Sequence, residues 1–353
     1  MDTLDLLTIA DQNIPLGANL IIDVPLPDLY MHTSLSMPVQ VIRGHRKGPT
    51  LFISAAVHGD EINGVEIIRR LVKSKALKNL KGTIITVPVV NVYGFINQSR
   101  YLPDRRDLNR CFPGSGQGSL AGRLANLFMA EVVQKCTHGI DLHTAAIHRD
   151  NLPQIRADIS NPKVDLLARA FNAPVVLNSG LIEGSLRHAC HEIGVPVIVY
   201  EAGEALRFNE LSIRAGVKGI LAVIRALDML LPISKKAKKI SEPFVARSST
   251  WVRAPKSGMF RMLIPMGAQV NKGDLLGIVA VPCGNENTEA SVIASYSGII
   301  IGRTNLPLVN EGEALFHIAR FNDPDEVADS LEAFHSYLDP ATDTALPEEQ
   351  PIM

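Results

Sequence analysis

The sequence predicts an α/β fold, a mixed sheet flanked by helices, with a small all-β domain behind it. Three observations predict this. Apolar strand-like runs alternate with helical patterns from residue 38 to about 231. Helical periodicity then stops, and a glycine-rich stretch repeats itself. The length, 353 residues, suits about two domains rather than one core.

The strand-like runs are VQVIRG, TLFISAAV, GTIITVPVV, GIDLHT, APVVLN and VPVIVYEAG, short and apolar as in a buried sheet. Between several of them lie GVEIIRRLVKSKAL, LAGRLANLFMAEVVQKC, PKVDLLARAFN and EGSLRHACHEIG, which read as helices, and ELSIRAGVKGILAVIRALDMLL closes the unit. Alternation of this kind places helices on both faces of a largely parallel or mixed sheet. The expected divisions are an N-terminal segment, 1–37, packing on a catalytic domain, 38–234, then a linker, 235–250. Within that linker KKAKK reads as solvated charge.

The β domain is expected over 251–320. There SGMFRMLIPMGAQVNKGDLLGIVA (257–280) aligns with SGIIIGRTNLPLVNEGEALFHIA (297–319). Two copies of one hairpin unit predict a small barrel or sandwich with approximate two-fold symmetry. The echo resembles the barrel-sandwich fold of biotinyl and lipoyl carrier domains. The connector PCGNENTEASV lacks the lysine such carriers modify, so a scaffold or lid is expected instead of a swinging arm. The segment 321–353 is an acidic tail: nine acidic residues follow residue 321, with no Lys or Arg. SLEAFHSYL predicts a short helix there, and ATDTALPEEQPIM has a disordered composition.

Apolar residues make up 46% of the chain and charged residues 20%, with a net charge of −1. Neither nucleic acid nor an anionic membrane is indicated as a partner. The four cysteines are scattered, as reduced thiols of a cytoplasmic protein are. MDTLDLLTIA lacks the basic and apolar regions of a signal peptide, and no apolar run reaches the ~18 residues of a membrane span.

Four motifs carry chemistry. In SAAVHGDEING, His58 and Glu61 follow an apolar strand, three residues apart at the expected start of a helix. Imidazole and carboxylate on one face make a metal pair, although H-x-x-E alone is a weak signal. In GIDLHT, His143 again ends a strand, and Asp141, two residues earlier, is on hand to orient it. Two histidines and one glutamate leave a fourth metal position open, as catalytic sites do. SRYLPDRRDLNRCFPG sets Arg100, Arg105, Arg106 and Arg110 beside Asn109, and arginine forks grip carboxylates. VPVIVYEAG ends in Glu201, a carboxylate at the end of an apolar strand, suited to a general base.

Together, and in this order, these motifs resemble the succinylglutamate desuccinylase/aspartoacylase family, zinc amide hydrolases on a zinc-carboxypeptidase-like fold. The resemblance spans roughly residues 38–231, and the C-terminal β module also resembles that family's smaller domain. It implies one zinc per chain, held by His58, Glu61 and His143. It implies that Glu201 activates water and protonates the leaving amine, and that Arg100 polarises the scissile carbonyl, with Arg105 or Arg106 as alternatives. Asn109 and Arg110 are implied as the clamp for a substrate carboxylate. An aromatic residue often completes such sites, and Tyr200, Tyr101 and Tyr296 are all open.

The expected activity is zinc-dependent hydrolysis of a small N-acyl amino acid or related N-acylated amine. A zinc carboxypeptidase acting on short peptides and a non-catalytic ligand-binding homologue are the rivals. Arg156, in NLPQIRAD, is a candidate contact for the acyl group. A homo-oligomer stays open. Three other signals carry little: the glycines of PGSGQGSLAG follow a loop, HRD at 148–150 lacks any kinase context, and His188 with His191 suits a solvated helix face.

Overall fold

The computed structural model describes residues 7–28, 34–232, 244–246, 248–283 and 288–321, together with Val327, Leu331, Phe334 and Leu338. A thirteen-stranded sheet runs through the molecule. At its centre four parallel strands lie in the order Val197–Glu204, His138–Ala145, Arg46–Ala55 and Lys81–Val87. These are the apolar runs of the sequence, covered on both faces as parallel strands require. Ser36–Arg43 and Asn19–Pro25 extend the sheet antiparallel on one side.

On the other side Arg149–Ala157 runs antiparallel to Val197–Glu204 and is where the sheet branches. Its second half pairs with Val175–Asn178 and its first half with Gly298–Thr304. The C-terminal β region is therefore tied to the central sheet by backbone pairing. Phe244–Ala246, inside the stretch expected as linker, adds a further strand beside Val175–Asn178. KKAKK lies outside the described residues.

Helices cover both faces. Asn63–Val72, Pro162–Phe171 and Glu210–Ala226 contribute Ile67, Leu71, Leu167, Phe171, Ile213 and Ile220 to one apolar core. Leu120–Glu131 and Leu186–Glu192 contribute Leu124, Phe128, Leu186 and Cys190 to the other. The N-terminal hairpin, Leu7–Ile9 with Gln12–Ile14, buries Ile9 and Ile14 in this second core.

The repeat predicted in the β region is present as an exchange of strands. The first copy is Gly258–Met262, Gln269–Val270 and Leu275–Ala280; the second is Gly298–Thr304, Leu308–Val309 and Ala314–Arg320. The short strand of each copy pairs with the first strand of the other: Val309 opposes Gly258, and Val270 opposes Gly298. Beyond it, Leu331, Phe334 and Leu338 are helical and buried, as SLEAFHSYL predicts. Phe334 and Leu338 join the first core of the catalytic unit, so this part of the acidic segment is packed. The residues 341–353 expected to be disordered lie outside the described residues. Among the described residues no helix is long and apolar enough to cross a membrane.

Candidate functional site

Three neighbouring parallel strands deliver the polar residues to one end of the sheet. Ser54 pairs with Asp141, and Glu201 pairs with His143. The loop after Ala55, the end of His138–Ala145 and the end of Val197–Glu204 therefore open into the same crevice, the usual ligand position in such sheets. His58 and Glu61 lie in a turn closed by Glu61 N–H donating to the His58 carbonyl at 3.1 Å. The helix begins only at Asn63. The pair thus precedes the helix, and the turn, not helical spacing, brings the two together.

Two glycines make the turn fit. A Cβ on Gly59 would lie 2.1 Å from the Gly94 backbone carbon. One on Gly64 would lie 2.7 Å from the Ala55 Cβ and 2.8 Å from the Leu142 Cβ, so the helix sits directly on the sheet.

Glu61 lies between the two histidines. His58 Nδ1 is 2.6 Å from Glu61 Oε1, and His143 Nδ1 is 2.7 Å from Glu61 Oε2. The ligand atoms of the trio all lie within 4.8 Å of one another, and all three residues are buried. Each imidazole is held from behind: His58 Nε2 is 3.1 Å from Asp107 Oδ1, and His143 Nε2 is 2.7 Å from Asp141 Oδ2. Asp141 is itself fixed by the Ser54 hydroxyl at 2.7 Å. Asp107 also accepts from the Asn109 N–H at 2.9 Å and pairs with Arg100 at 3.0 Å.

These contacts set the charges. Burial opposes a charged His58, yet Glu61 and Asp107 outweigh it and raise its pKa. Burial likewise opposes a charged His143, and Asp141 and Glu61 raise its pKa well above the usual imidazole value. For Glu61, burial favours the neutral form, but His58 and His143 win and hold the carboxyl well below its ordinary range.

A divalent metal fits this set. Two imidazole nitrogens converge on one buried carboxylate, and each ring's far nitrogen has a carboxylate behind it, the support metal-binding histidines ordinarily have. A nitrogen–nitrogen–oxygen set suits zinc.

The trio lines a cleft of about 330 Å³ together with Arg100, Asn109, Arg110, Asp141, Arg156 and Glu201. Glu201 Oε2 accepts from Asn151 Nδ2 at 3.0 Å and lies 2.9 Å from Arg156 Nε. Arg100 reaches Glu61 Oε1 at 3.3 Å. Asn109 uses its side-chain oxygen to accept from the Leu186 N–H at 2.9 Å, tying its loop to the helix Leu186–Glu192. A larger depression, about 460 Å³, lies beside Leu7, Arg46 and Lys135 and has none of the trio in its walls.

Arg105, expected to bind substrate, requires correction. It is exposed, sits at a left-handed φ of +63° and does not line the cleft. Arg106 is also exposed. The guanidinium of that loop that reaches the trio is Arg100, because its neighbours turn outward. None of the three tyrosines enters the cleft. Tyr200 is buried and donates to the Ser212 carbonyl at 2.7 Å, Tyr101 is exposed, and Tyr296 lies against the Arg320 guanidinium. The aromatic residue in the cleft wall is Trp251.

Sequence reasoning missed Asp107, Arg149, Asn151, Arg187 and Trp251. Asp107 stands inside the D-L-N-R phrase, so its motif was visible although its partner was not. Asn151 directly follows HRD on a strand the apolar pattern does not mark.

The family model for the succinylglutamate desuccinylase/aspartoacylase catalytic domain matches residues 47–227. The N-alpha-acetyl-L-2,4-diaminobutyric acid deacetylase of Halomonas elongata is 23% identical over 313 residues, 84% of this chain and 88% of that protein. The product-bound ectoine utilization protein of Ruegeria pomeroyi is 25% identical, with a TM-score of 0.75 over 87% of this chain and 97% of its own. The succinylglutamate desuccinylase/aspartoacylase of Rhodobacter sphaeroides, 23% identical, has a TM-score of 0.76 over 86% of this chain and 95% of its own.

Proposed function

The chain belongs to the succinylglutamate desuccinylase/aspartoacylase family, and from that premise we propose that it is a zinc-dependent deacylase acting on the amide bond of a small N-acyl amino acid. The observation that carries the reading is the convergence of His58, Glu61, His143 and Glu201 in one cleft. The deacetylase activity named for the Halomonas relative supports the same reaction class.

His58, Glu61 and His143 hold the zinc, which when bound supplies a Lewis acid and lowers the pKa of water toward ~7. Asp107 and Asp141 orient the two imidazoles. Glu201 takes a proton from the attacking water and returns it to the leaving nitrogen. The carbon–oxygen bond forms first, and the carbon–nitrogen bond breaks as its nitrogen is protonated, giving a carboxylic acid and an amine that ionise to carboxylate and ammonium. Asn151 and Arg156 hold the Glu201 carboxylate in place between these two proton transfers. Arg100, at the edge of the trio, stabilises negative charge on the carbonyl oxygen, a contribution of ~3–4 kcal/mol for a well-placed donor.

Asn109 and Arg110 bind the substrate carboxylate, and Arg156 borders the acyl group. A cleft of about 330 Å³, walled in part by the C-terminal β region, favours small substrates over a peptide chain. Glu201→Gln tests the reading. The variant is expected to fold, retain zinc and lose amine release from N-acetyl amino acids; turnover at the wild-type rate would exclude it.

A further inference from the structure

Trp251 is the single tryptophan of the chain, and it lines the cleft from the strand Ser248–Arg253 of the C-terminal β region. Its ring is held firmly. The imidazole of His317, on the neighbouring strand, stacks on it with centroids 4.6 Å apart and planes 6° from parallel. His317 is only 4% exposed, so the stack is anchored in the protein. The guanidinium carbon of Arg149 lies 5.2 Å from the ring centroid, a cation–π distance. Arg149 comes from the catalytic unit, so the contact joins the two regions at the cleft.

Both residues have unused donors. Among the described residues the Trp251 indole N–H has no hydrogen-bond partner, and Arg149 has no carboxylate partner. The carboxylates lining the cleft are already committed. Glu61 meets His58, His143 and Arg100; Asp141 meets Ser54 and His143; Glu201 meets Asn151 and Arg156. No lining carboxylate is left to receive an ammonium group, whereas an indole N–H and a guanidinium wait for an acceptor.

We propose that Trp251 and Arg149 form the specificity-determining wall of the cleft, and that it receives a hydrogen-bond acceptor, a carboxylate or carboxamide, on the part of the substrate away from the scissile amide. The inference rests on the deacylase reading and narrows its substrate class. It also separates this chain from its Halomonas relative, whose named substrate carries a second amino group. Fixing the ring in advance lets the donor be offered with little loss of side-chain freedom on binding.

The single tryptophan gives a direct test. Zinc-loaded Glu201→Gln protein is titrated with N-acetyl-L-glutamate, N-acetyl-L-glutamine, N-acetyl-L-alanine and N-alpha-acetyl-L-2,4-diaminobutyrate while indole emission is followed. The two ligands with an acceptor in the side chain, N-acetyl-L-glutamate and N-acetyl-L-glutamine, are expected to change the emission saturably and to bind more tightly than the other two. In the active enzyme, Trp251→Phe keeps a ring but removes the donor. It is expected to lower the ratio of kcat/KM for N-acetylglutamate over N-acetylalanine about tenfold, the worth of a charge-assisted hydrogen bond. Trp251→Tyr, which restores a donor, recovers part of the ratio.

A purely structural role for Trp251 would lower both rates and leave their ratio unchanged, and that result overturns the proposal. So does tighter binding of the diaminobutyrate derivative. Turnover of N-acetylalanine with no emission response to any acceptor ligand would sink this wall and leave the deacylase reading standing. An emission response with no turnover of any amide by the wild type would do the reverse.

Discussion

Asp141 and His143 are two residues apart on one strand, and Asp141 Oδ2 lies 2.7 Å from His143 Nε2 while the ring's other nitrogen faces Glu61. A strand sends residues i and i+2 to the same face, so the sequence pair D-x-H becomes a carboxylate set behind an imidazole. Asp141→Asn keeps the shape and removes the charge. It is expected to weaken zinc binding by about 10–100-fold, the usual effect of losing such a partner. Competition with a chelator of known affinity measures this, and an unchanged zinc affinity would remove Asp141 from the site.

Gly64 makes a prediction about stability. An alanine there would bring its Cβ to 2.7 Å from Ala55 and 2.8 Å from Leu142, both in the sheet beneath the helix. Neither neighbour is the free end of a flexible side chain, so the helix must lift. Gly64→Ala is expected to destabilise the protein by roughly 1–3 kcal/mol. A urea midpoint at or above that of the wild type would mean the helix can shift freely, against the packing described.

His317 predicts a pH dependence. Burial, helped by Arg156, lowers its pKa to about 4. The unfolded chain therefore takes up this proton first as pH falls. The stability linked to His317 is complete above the ordinary imidazole value and is lost progressively as pH drops from there towards the folded value, by roughly 2 kcal/mol at about pH 5. His317→Phe keeps a ring against Trp251 and does not titrate. The stability difference between about pH 7 and pH 5 should shrink by that amount in the variant. An identical difference in both proteins would show that His317 is not buried neutral.

Much of the site was legible in the sequence because its residues end apolar strands. His58, Glu61, His143 and Glu201 each follow a run that can only be buried, and a polar group at that point marks a strand's carboxyl end. The alternation of strand and helix, and the duplicated hairpin, were legible for similar reasons. The strand Arg149–Ala157 was not, because RDNLPQIRA is polar and carries a proline. Its apolar residues, Leu152, Ile155 and Ala157, are buried in two different cores and are interrupted by Asn151, Pro153, Gln154 and Arg156, so no strand-like apolar run appears. Asp107 was hidden because its contact with His58 spans 49 residues and depends on the loop's path. Arg105 was an alternative to Arg100 in the sequence, and the outward turn at residue 105 separates them. Trp251 could not be assigned because the β region's docking on the catalytic sheet decides what it faces.

The most direct measurement is amine release from a panel of N-acetyl amino acids by purified protein, before chelation, after chelation, and after zinc is restored, with His143→Ala alongside. The account predicts activity that disappears on chelation, returns with one equivalent of zinc, and is absent from the variant together with the bound metal. Activity that survives complete removal of the metal, or a zinc-loaded wild type that releases no amine from any N-acyl substrate, would contradict it.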